Sequence, residues 1–381
     1  MDKYTRHKKI WRILYTLVQK PFSGLVNMSW EPCQVDGPCI VIPNHVTAID
    51  PLMVAMSFPD KPLYFVASEH LFRKGLISAA LNWLVEPIPR KKASSGVDTV
   101  MAVLRHLRSG RSVCLFAEGE ATWSGRSGKI FPATGKMIRR SGATLVTYRL
   151  EGAYLSDPRW SKSLHRGRIY GHPVGIYPPE KLKAMSPEEI DQLINKDIYE
   201  AAWERQKAEH IRFKSRRRAE HMETALFMCP ECGGIGTLKS RGSRLQCSCG
   251  LSLEYTEEGS FEPPRPFENI AQWDDWQHEQ LRAGNFSPEG EDLFSDDGMR
   301  LVEIEEGHRQ RELGRGKLRQ FRDRLSCAGQ DFDLASISDM AMVQTGVLLF
   351  SREGKYYEIR TKKPQCLRKY LAVWKNSRQG E

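Results

Sequence analysis

Apolar positions change period along this chain, and the changes divide it into regions. Ile10, Trp11, Ile13, Leu14, Leu17 and Val18 recur at i, i+3, i+4 and i+7, the spacing of one helix face. Lys3, Arg6, Lys8, Lys9 and Arg12 surround the start of that helix, and Pro21 is expected to end it. From Ile40 to about Tyr177 the strand-like runs "CIVIP", "PLYFVA", "SVCLFAE", "GATLVTYRL" and "GRIYGHPVGI" alternate with helical stretches after Asp50, Gly75, Val97 and Ala133. Such alternation predicts an α/β domain. A charged stretch of helical character runs from Ser186 to Met222, and "SPEEI" reads as a capping box of Ser186 and Glu189. From about Met299 to Arg360 short strands separated by Gly and Asp turns follow one another, and "QCLRKYLAVWK" predicts a last helix.

Composition narrows the function classes. The chain has 381 residues, enough for two or three domains, and is 40% apolar. No stretch reaches the ~18 consecutive apolar residues of a membrane-spanning helix, and no secretory signal is read at the N-terminus. A net charge of +10 points to an anionic partner: nucleic acid, an anionic lipid surface or an acidic substrate. Four of the nine cysteines crowd between Cys229 and Cys249, which is not the spread of a secreted disulfide scaffold. A reducing, cytoplasmic setting is expected. The predicted segments are an amphipathic helix at 1–24, an α/β domain at 25–205, a basic helical linker at 206–227, a cysteine-bearing module at 228–260 and a β-rich module at 261–381. The last has a pattern similar to pleckstrin-homology and GRAM modules.

The chemistry starts in "VIPNHVTAIDPLMVAM". Pro51 suits a first helical turn, which makes Asp50 a natural N-cap and puts His45 in the loop before it. A turn there would bring the imidazole back onto the carboxylate. A carboxylate on one ring nitrogen fixes the tautomer and leaves the other nitrogen as a base. The plainer reading is a loop histidine beside a helix cap.

The order of further segments changes that balance. Asn44, His45 and Asp50 make N-H-x4-D; "LVEPIPR" ends in Arg90; "CLFAEGEATWSG" contains Phe116, Glu118 and Gly119; and Val146 to Glu151 form a later apolar strand. These four blocks, in this order, resemble the glycerolipid acyltransferase family, which includes the lysophosphatidate acyltransferases. The resemblance covers roughly residues 25–180. It implies an acyl thioester donor on CoA or acyl carrier protein, a lysophospholipid acceptor, and no catalytic cofactor. It makes His45 and Asp50 the catalytic pair and Asn44, Arg90, Glu118 and Gly119 substrate-binding residues. Backbone N–H groups near the helix start or at the Glu118–Gly119 turn are candidate oxyanion donors. Four positions depart from the family pattern: Ala117 replaces a proline, Glu120 and Ala121 replace a Thr-Arg pair, and Thr147 replaces a proline. The family's phosphate-contacting arginine is therefore missing at 121, and Arg126, Lys129 and Arg139 are the nearby substitutes.

"CPECGGIGTLKSRGSRLQCSCG" offers Cys229, Cys232, Cys247 and Cys249 as a four-thiolate set. The hairpin length between the pairs suits a zinc ribbon with one structural Zn2+, although the second pair is C-x-C rather than C-x2-C. The expectation is thus an α/β acyltransferase-like domain with an appended zinc ribbon and a β-rich C-terminal module. The protein would act peripherally on an anionic membrane at the inner face of the cell membrane. "RQKAEHIRFKSRRRAEH" lacks an aromatic ladder, so nucleic acid is not the expected partner. The alternatives are a zinc-ribbon nucleic-acid-binding protein with an inactive acyltransferase-like domain, and a hydrolase using His45 and Asp50 as metal ligands.

Overall fold

The computed structural model describes residues 3–68, 86–90, 96–285, 291–305 and 309–378. The helix expected after Gly75 lies outside them. The chain divides into two compact units: Met1–Arg159 with Leu164–Lys214, and Trp160–Ser163 with Ser215–Glu381.

The first unit is built on a seven-stranded sheet of β1 (Met28–Trp30), β2 (Cys39–Pro43), β3 (Leu63–Ser68), β4 (Ile88–Arg90), β5 (Ser112–Cys114), β6 (Thr144–Glu151) and β7 (Ile169–Tyr177). Their order is β1-β7-β6-β2-β5-β3-β4. β2 pairs in parallel with both β5 and β6, and all five of its residues are buried. That two-sided burial is why "CIVIP" reads as a continuous apolar run rather than an alternating one. The described helices of this unit are α1 (Lys3–Val26), α2 (Asp50–Ala55), α3 (Val97–Arg108), α4 (Thr134–Ser141), α5 (Ala153–Ser156), α6 (Pro179–Ala184), α7 (Pro187–Asp197) and α8 (Ala202–Glu209). α3 turns Val103, Leu104 and Leu107 inward, and α7 turns Ile190 and Ile194 inward, at the spacing one helical face requires. Each such side chain stabilises the unit by about 1.5–3 kcal/mol. α7 starts with a capping box in which Ser186 and Glu189 exchange bonds with each other's backbone N–H.

Two sequence expectations need correction here. α1 does not end at Pro21 but continues to Val26, and it belongs to the first unit rather than standing apart. The proline removes its own N–H bond, yet Phe22 and Val26 beyond it are buried and hold the last turns in place. The apolar stripe of α1 also splits. His7 is buried against the Tyr64 hydroxyl and Trp11 donates to the Phe58 carbonyl, while Ile13, Leu17 and Leu25 stay exposed. The second correction concerns the basic linker. α8 stops at Glu209, His210 takes a left-handed conformation, and only a short 3-10 turn follows, at Met222–Thr224. Five cations between Arg212 and Arg218 would repel one another along a helix; in the irregular backbone Arg218 instead pairs with Glu254.

The second unit holds a four-stranded antiparallel sheet of β8 (Leu238–Arg241), β9 (Arg244–Cys247), β10 (Ser252–Tyr255) and β11 (Phe261–Glu262). Next comes α9 (Ile270–Ala283), the tryptophan-rich segment, whose Trp273 indole donates to the Met228 carbonyl at 2.9 Å. A seven-stranded antiparallel sheet follows: β12 (Phe294–Ile304), β13 (Gln310–Gln320), β14 (Arg324–Cys327), β15 (Gln330–Asp333), β16 (Ile337–Val343), β17 (Val347–Arg352) and β18 (Lys355–Arg360). Its order is β15-β14-β13-β12-β18-β17-β16, two meanders joined where β12 meets β18. α10 (Arg368–Arg378) closes the unit. Its Lys369 is buried, and Asp296 satisfies it at 2.7 Å while also accepting from the Tyr370 hydroxyl.

Candidate active site and candidate metal centre

Because β2, β5 and β6 run parallel, the chain leaves all three at one edge of the sheet, where α/β folds collect their functional loops. The loop after β2 carries His45, the loop after β5 carries Glu118, and Leu150 lies near the end of β6. Asn44 ties two of these together. Its amide oxygen accepts from the Leu150 N–H at 2.7 Å and its NH2 donates to the Leu150 carbonyl at 3.0 Å. The side chain therefore acts as a one-residue strand partner, and both of its polar ends are engaged within the protein.

His45 and Asp50 meet. The imidazole Nδ1 lies 2.8 Å from Asp50 Oδ2, with Asp50 fully buried and the His45 side chain 22% exposed. The carboxylate is further surrounded by donors: Val46 N–H at 2.6 Å, Thr47 N–H at 2.9 Å and the Thr47 hydroxyl at 2.8 Å. Asp50 is thus not the cap of α2. Ile49 occupies that position, and Asp50 sits in the first turn with its carboxylate turned back over the preceding loop. The histidine and three loop donors outcompete the helix end for it. With those donors on its oxygens, Asp50 is presented to the protein rather than to a metal ion. The imidazole packs on Phe116, with ring centroids 4.4 Å apart.

The loop after β5 clamps the histidine backbone from both sides. The His45 N–H donates to Glu118 Oε1 at 2.7 Å, and the His45 carbonyl accepts from the Thr122 N–H at 3.0 Å. Glu118 Oε2 accepts from the Gly128 N–H at 2.5 Å. Burial pushes Glu118 up to about 8, against the pull of these two N–H donors and with a further push from Asp50. Between the two clamps lie Gly119, Glu120 and Ala121. Gly119 has φ +82, and a Cβ there would stand 2.3 Å from the Phe131 ring, so the turn requires glycine. Its N–H is already bonded to the Phe116 carbonyl at 3.1 Å, which removes it as an oxyanion donor.

Arg90, at the end of β4, reaches this same turn. Its guanidinium lies over the Phe131 ring at 4.2 Å, and Nη1 is 3.5 Å from where a Gly119 Cβ would be. The three candidate substitutes for the cation missing at 121 lie in different settings. Arg139 donates to the Lys183 carbonyl, and Arg126 and Lys129 are exposed. Among the described residues, a cation bonded at Ala121 is Arg159, from the segment after α5, which the sequence reading did not single out. It lies 3.0 Å from Glu120, donates to the Ala121 carbonyl at 2.9 Å and rests on the Trp123 ring at 4.2 Å. Asp157 lies two residues earlier. Burial, and then the charge of Asp50, push its carboxyl up to about 6.

The second candidate site is separate in chemistry. The sulfurs of Cys229, Cys232, Cys247 and Cys249 lie within 4.8 Å of one another. The Cys229–Cys249 and Cys232–Cys247 separations are 3.7 and 3.8 Å. A tetrahedral ion with Zn–S bonds of ~2.3 Å needs sulfurs roughly 3.8 Å apart. The first knuckle is shaped by Cys229, whose carbonyl accepts from Gly233 and whose N–H donates to the Gly234 carbonyl. Gly233 and Gly236 supply the left-handed turns.

Residues 26–151 match the family model described as Acyltransferase. The chain is 24% identical over 171 residues to the chloroplastic 1-acyl-sn-glycerol-3-phosphate acyltransferase BAT2 of Brassica napus, covering 43% of this chain and 48% of the relative. It is 25% identical over 165 residues to the chloroplastic 1-acyl-sn-glycerol-3-phosphate acyltransferase LPAT1 of Arabidopsis thaliana, covering 42% and 45%. The chain thus spans less than half the length of these curated relatives. The crystal structure of the 1-acyl-sn-glycerophosphate acyltransferase PlsC from Thermotoga maritima aligns over 52% of this chain and 80% of its own, with TM-score 0.42 and 15% identity. With the N-H-x4-D block and the later blocks gathered at one sheet edge, the stretch 26–151 that matches the Acyltransferase family model is also the part of the chain similar to these 1-acyl-sn-glycerol-3-phosphate acyltransferases.

Proposed function

We propose that this chain is an O-acyltransferase that moves a fatty acyl group from acyl-CoA or acyl carrier protein to a lysophospholipid hydroxyl in phospholipid biosynthesis. The acceptor we assign is 1-acylglycerol-3-phosphate, which the names of the relatives support. The observation that carries the reading is the buried Asp50 carboxylate 2.8 Å from an imidazole that is itself partly open to solvent. Asp50 holds the Nδ1–H tautomer, so the Nε2 lone pair is available to the acceptor hydroxyl. His45 takes the hydroxyl proton as the oxygen attacks the thioester carbonyl, Asp50 stabilises the imidazolium, and the proton then passes to the leaving thiolate. Asn44 and Glu118 serve this step as positioning residues that hold the His45 loop, and Arg90 faces the acceptor.

The cysteine cluster holds one structural Zn2+ in this reading, through Cys229, Cys232, Cys247 and Cys249. The ion would tie the knuckle to the end of β9. Membrane attachment rests on α1. Ile13, Leu17, Pro21 and Leu25 form an exposed ridge at four-residue spacing, flanked by exposed Lys9, Arg12 and Lys20. An apolar ridge between cations fits the headgroup region of an anionic bilayer, at the cytoplasmic face. Among the described residues no helix is long and apolar enough to cross a membrane.

The test is mass spectrometry of the lipids formed from a mixed lysolipid pool and acyl-CoA. Phosphatidate as the main product, absent with His45→Ala, is the expected result. Retention on nucleic acid with no acylated lipid from any acceptor would replace this reading with a binding protein built on an inactive domain.

A further inference from the structure

The turn Gly119–Glu120–Ala121 lies between two anchors on the backbone of the proposed base. It is anchored to the His45 backbone just before it, through Glu118, and just after it, through Thr122. Two guanidinium groups from different parts of the chain bracket it. Arg90 stands at its Gly119 end and Arg159 at its Ala121 end.

We propose that Arg159 is the second anion-recognising residue of the acceptor site, and that with Arg90 it receives the phosphate of a phosphomonoester acceptor. This deepens the acyl-transfer reading and rests on it. Stacking on Trp123 and the bond to the Ala121 carbonyl hold the guanidinium in place without help from Glu120. Only a tenth of the Arg159 side chain is exposed, so the fork is pre-organised, whereas a third of the Glu120 side chain is open to solvent. Glu120 already places an anionic oxygen on this fork at 3.0 Å. A phosphate brings more oxygens and more charge than a carboxylate to the same planar donors, and arginine bonds two of those oxygens at once. Glu120 is then the counter-ion of the free site, displaced when the acceptor arrives. Displacement also gives selectivity, because a neutral acceptor has nothing to offer Arg159 in exchange for Glu120.

The experiment measures binding without acyl donor, by calorimetry, for a short-chain 1-acylglycerol-3-phosphate and the matching monoacylglycerol. Arg159→Gln is expected to weaken the phosphorylated ligand by about 10- to 150-fold, the range for one charge-assisted contact. The monoacylglycerol should change little. Arg159→Lys, with charge but no fork, should fall between. Glu120→Gln, which leaves Arg159 in place, should tighten the phosphorylated ligand about two- to fivefold. Equal weakening of both ligands would make Arg159 a structural latch and overturn the proposal, as would no weakening of either. Arg159-dependent binding of inorganic phosphate that the short-chain ligand does not compete for would overturn the acceptor assignment. The two readings separate cleanly. Arg159-dependent binding of the phosphorylated ligand with no acyl transfer removes the enzyme and keeps the site; transfer without Arg159-dependent discrimination does the reverse.

Discussion

Asp50→Asn is the substitution that bears most directly on the proposed chemistry, because it keeps the shape of the site and removes only the charge and half the acceptor capacity. Asp50 accepts from four donors: His45 Nδ1, Val46 N–H, Thr47 N–H and the Thr47 hydroxyl. An asparagine oxygen facing Thr47 preserves two of these. Its NH2 then meets the Val46 N–H, a donor against a donor, where the present separation is 2.6 Å. Leaving that N–H unsatisfied and losing the charge-assisted contacts costs about 2–5 kcal/mol of stability. Domains of this size are typically stable by roughly 5–15 kcal/mol, so the variant should still fold. The imidazole has one way to satisfy the new NH2: accept it on Nδ1 and carry its own proton on Nε2. The base then faces the acceptor with a proton instead of a lone pair. A positioned base contributes ~10²–10⁴ in rate, so kcat should fall by about that factor with KM little changed. The assay is thiol release from acyl-CoA in the presence of acceptor, alongside nitrogen NMR of the labelled imidazole, which distinguishes the two tautomers. A variant that keeps more than a tenth of wild-type kcat, or that loses activity while the Nδ1–H tautomer persists, refutes the argument.

Glu118→Gln tests the clamp through pH. The native carboxyl keeps its proton up to about 8, whereas an unfolded one releases it near ~4.3, so its contribution is full at low pH and is lost as pH rises toward 8. Urea unfolding at pH 5 and pH 8 should therefore show a fall in wild-type stability that is smaller in the variant, and equal falls would contradict the assignment. Purified protein should carry about one equivalent of zinc, lost with Cys229→Ser and Cys232→Ser together; a metal-free wild type as stable as the metal-loaded protein speaks against the site. Ile13→Glu with Leu17→Glu should lower co-sedimentation with anionic vesicles more than tenfold, since each apolar side chain contributes ~1.5–3 kcal/mol when buried, with little change in turnover on detergent-dispersed substrate. Unchanged sedimentation would assign the ridge to another contact.

What was legible in the sequence follows from how local the cause is. The α/β alternation, the capping box at Ser186 and the spacing of the four cysteines are set by near neighbours or by burial that repeats along one element, and periodicity reports both. Pro21 and Asp50 were misread for the complementary reason. Each has a strong local preference, to stop a helix and to cap one, and in each case contacts elsewhere prevail: burial of Phe22 and Val26, and the four donors around the carboxylate. The pairing of Asn44 with Leu150 joins residues 106 apart, and nothing in the spacing of "PNHVTAID" indicates it.

The cation at Ala121 shows where this limit matters most for function. Searching outward from the substituted position along the chain leads to Arg126, Lys129 and Arg139, because proximity in sequence is the only distance a sequence supplies. The residue that arrives is Arg159, 38 positions away, delivered because β6 runs parallel to β2 and turns back through α5 at the same sheet edge. A site at the ends of parallel strands is assembled from loops remote in sequence, so a charge lost from one loop is replaceable from any other that ends at that edge. The identity of the acceptor is therefore not readable from a missing arginine in one block. It depends on the total charge that all the loops at that edge present to the ligand.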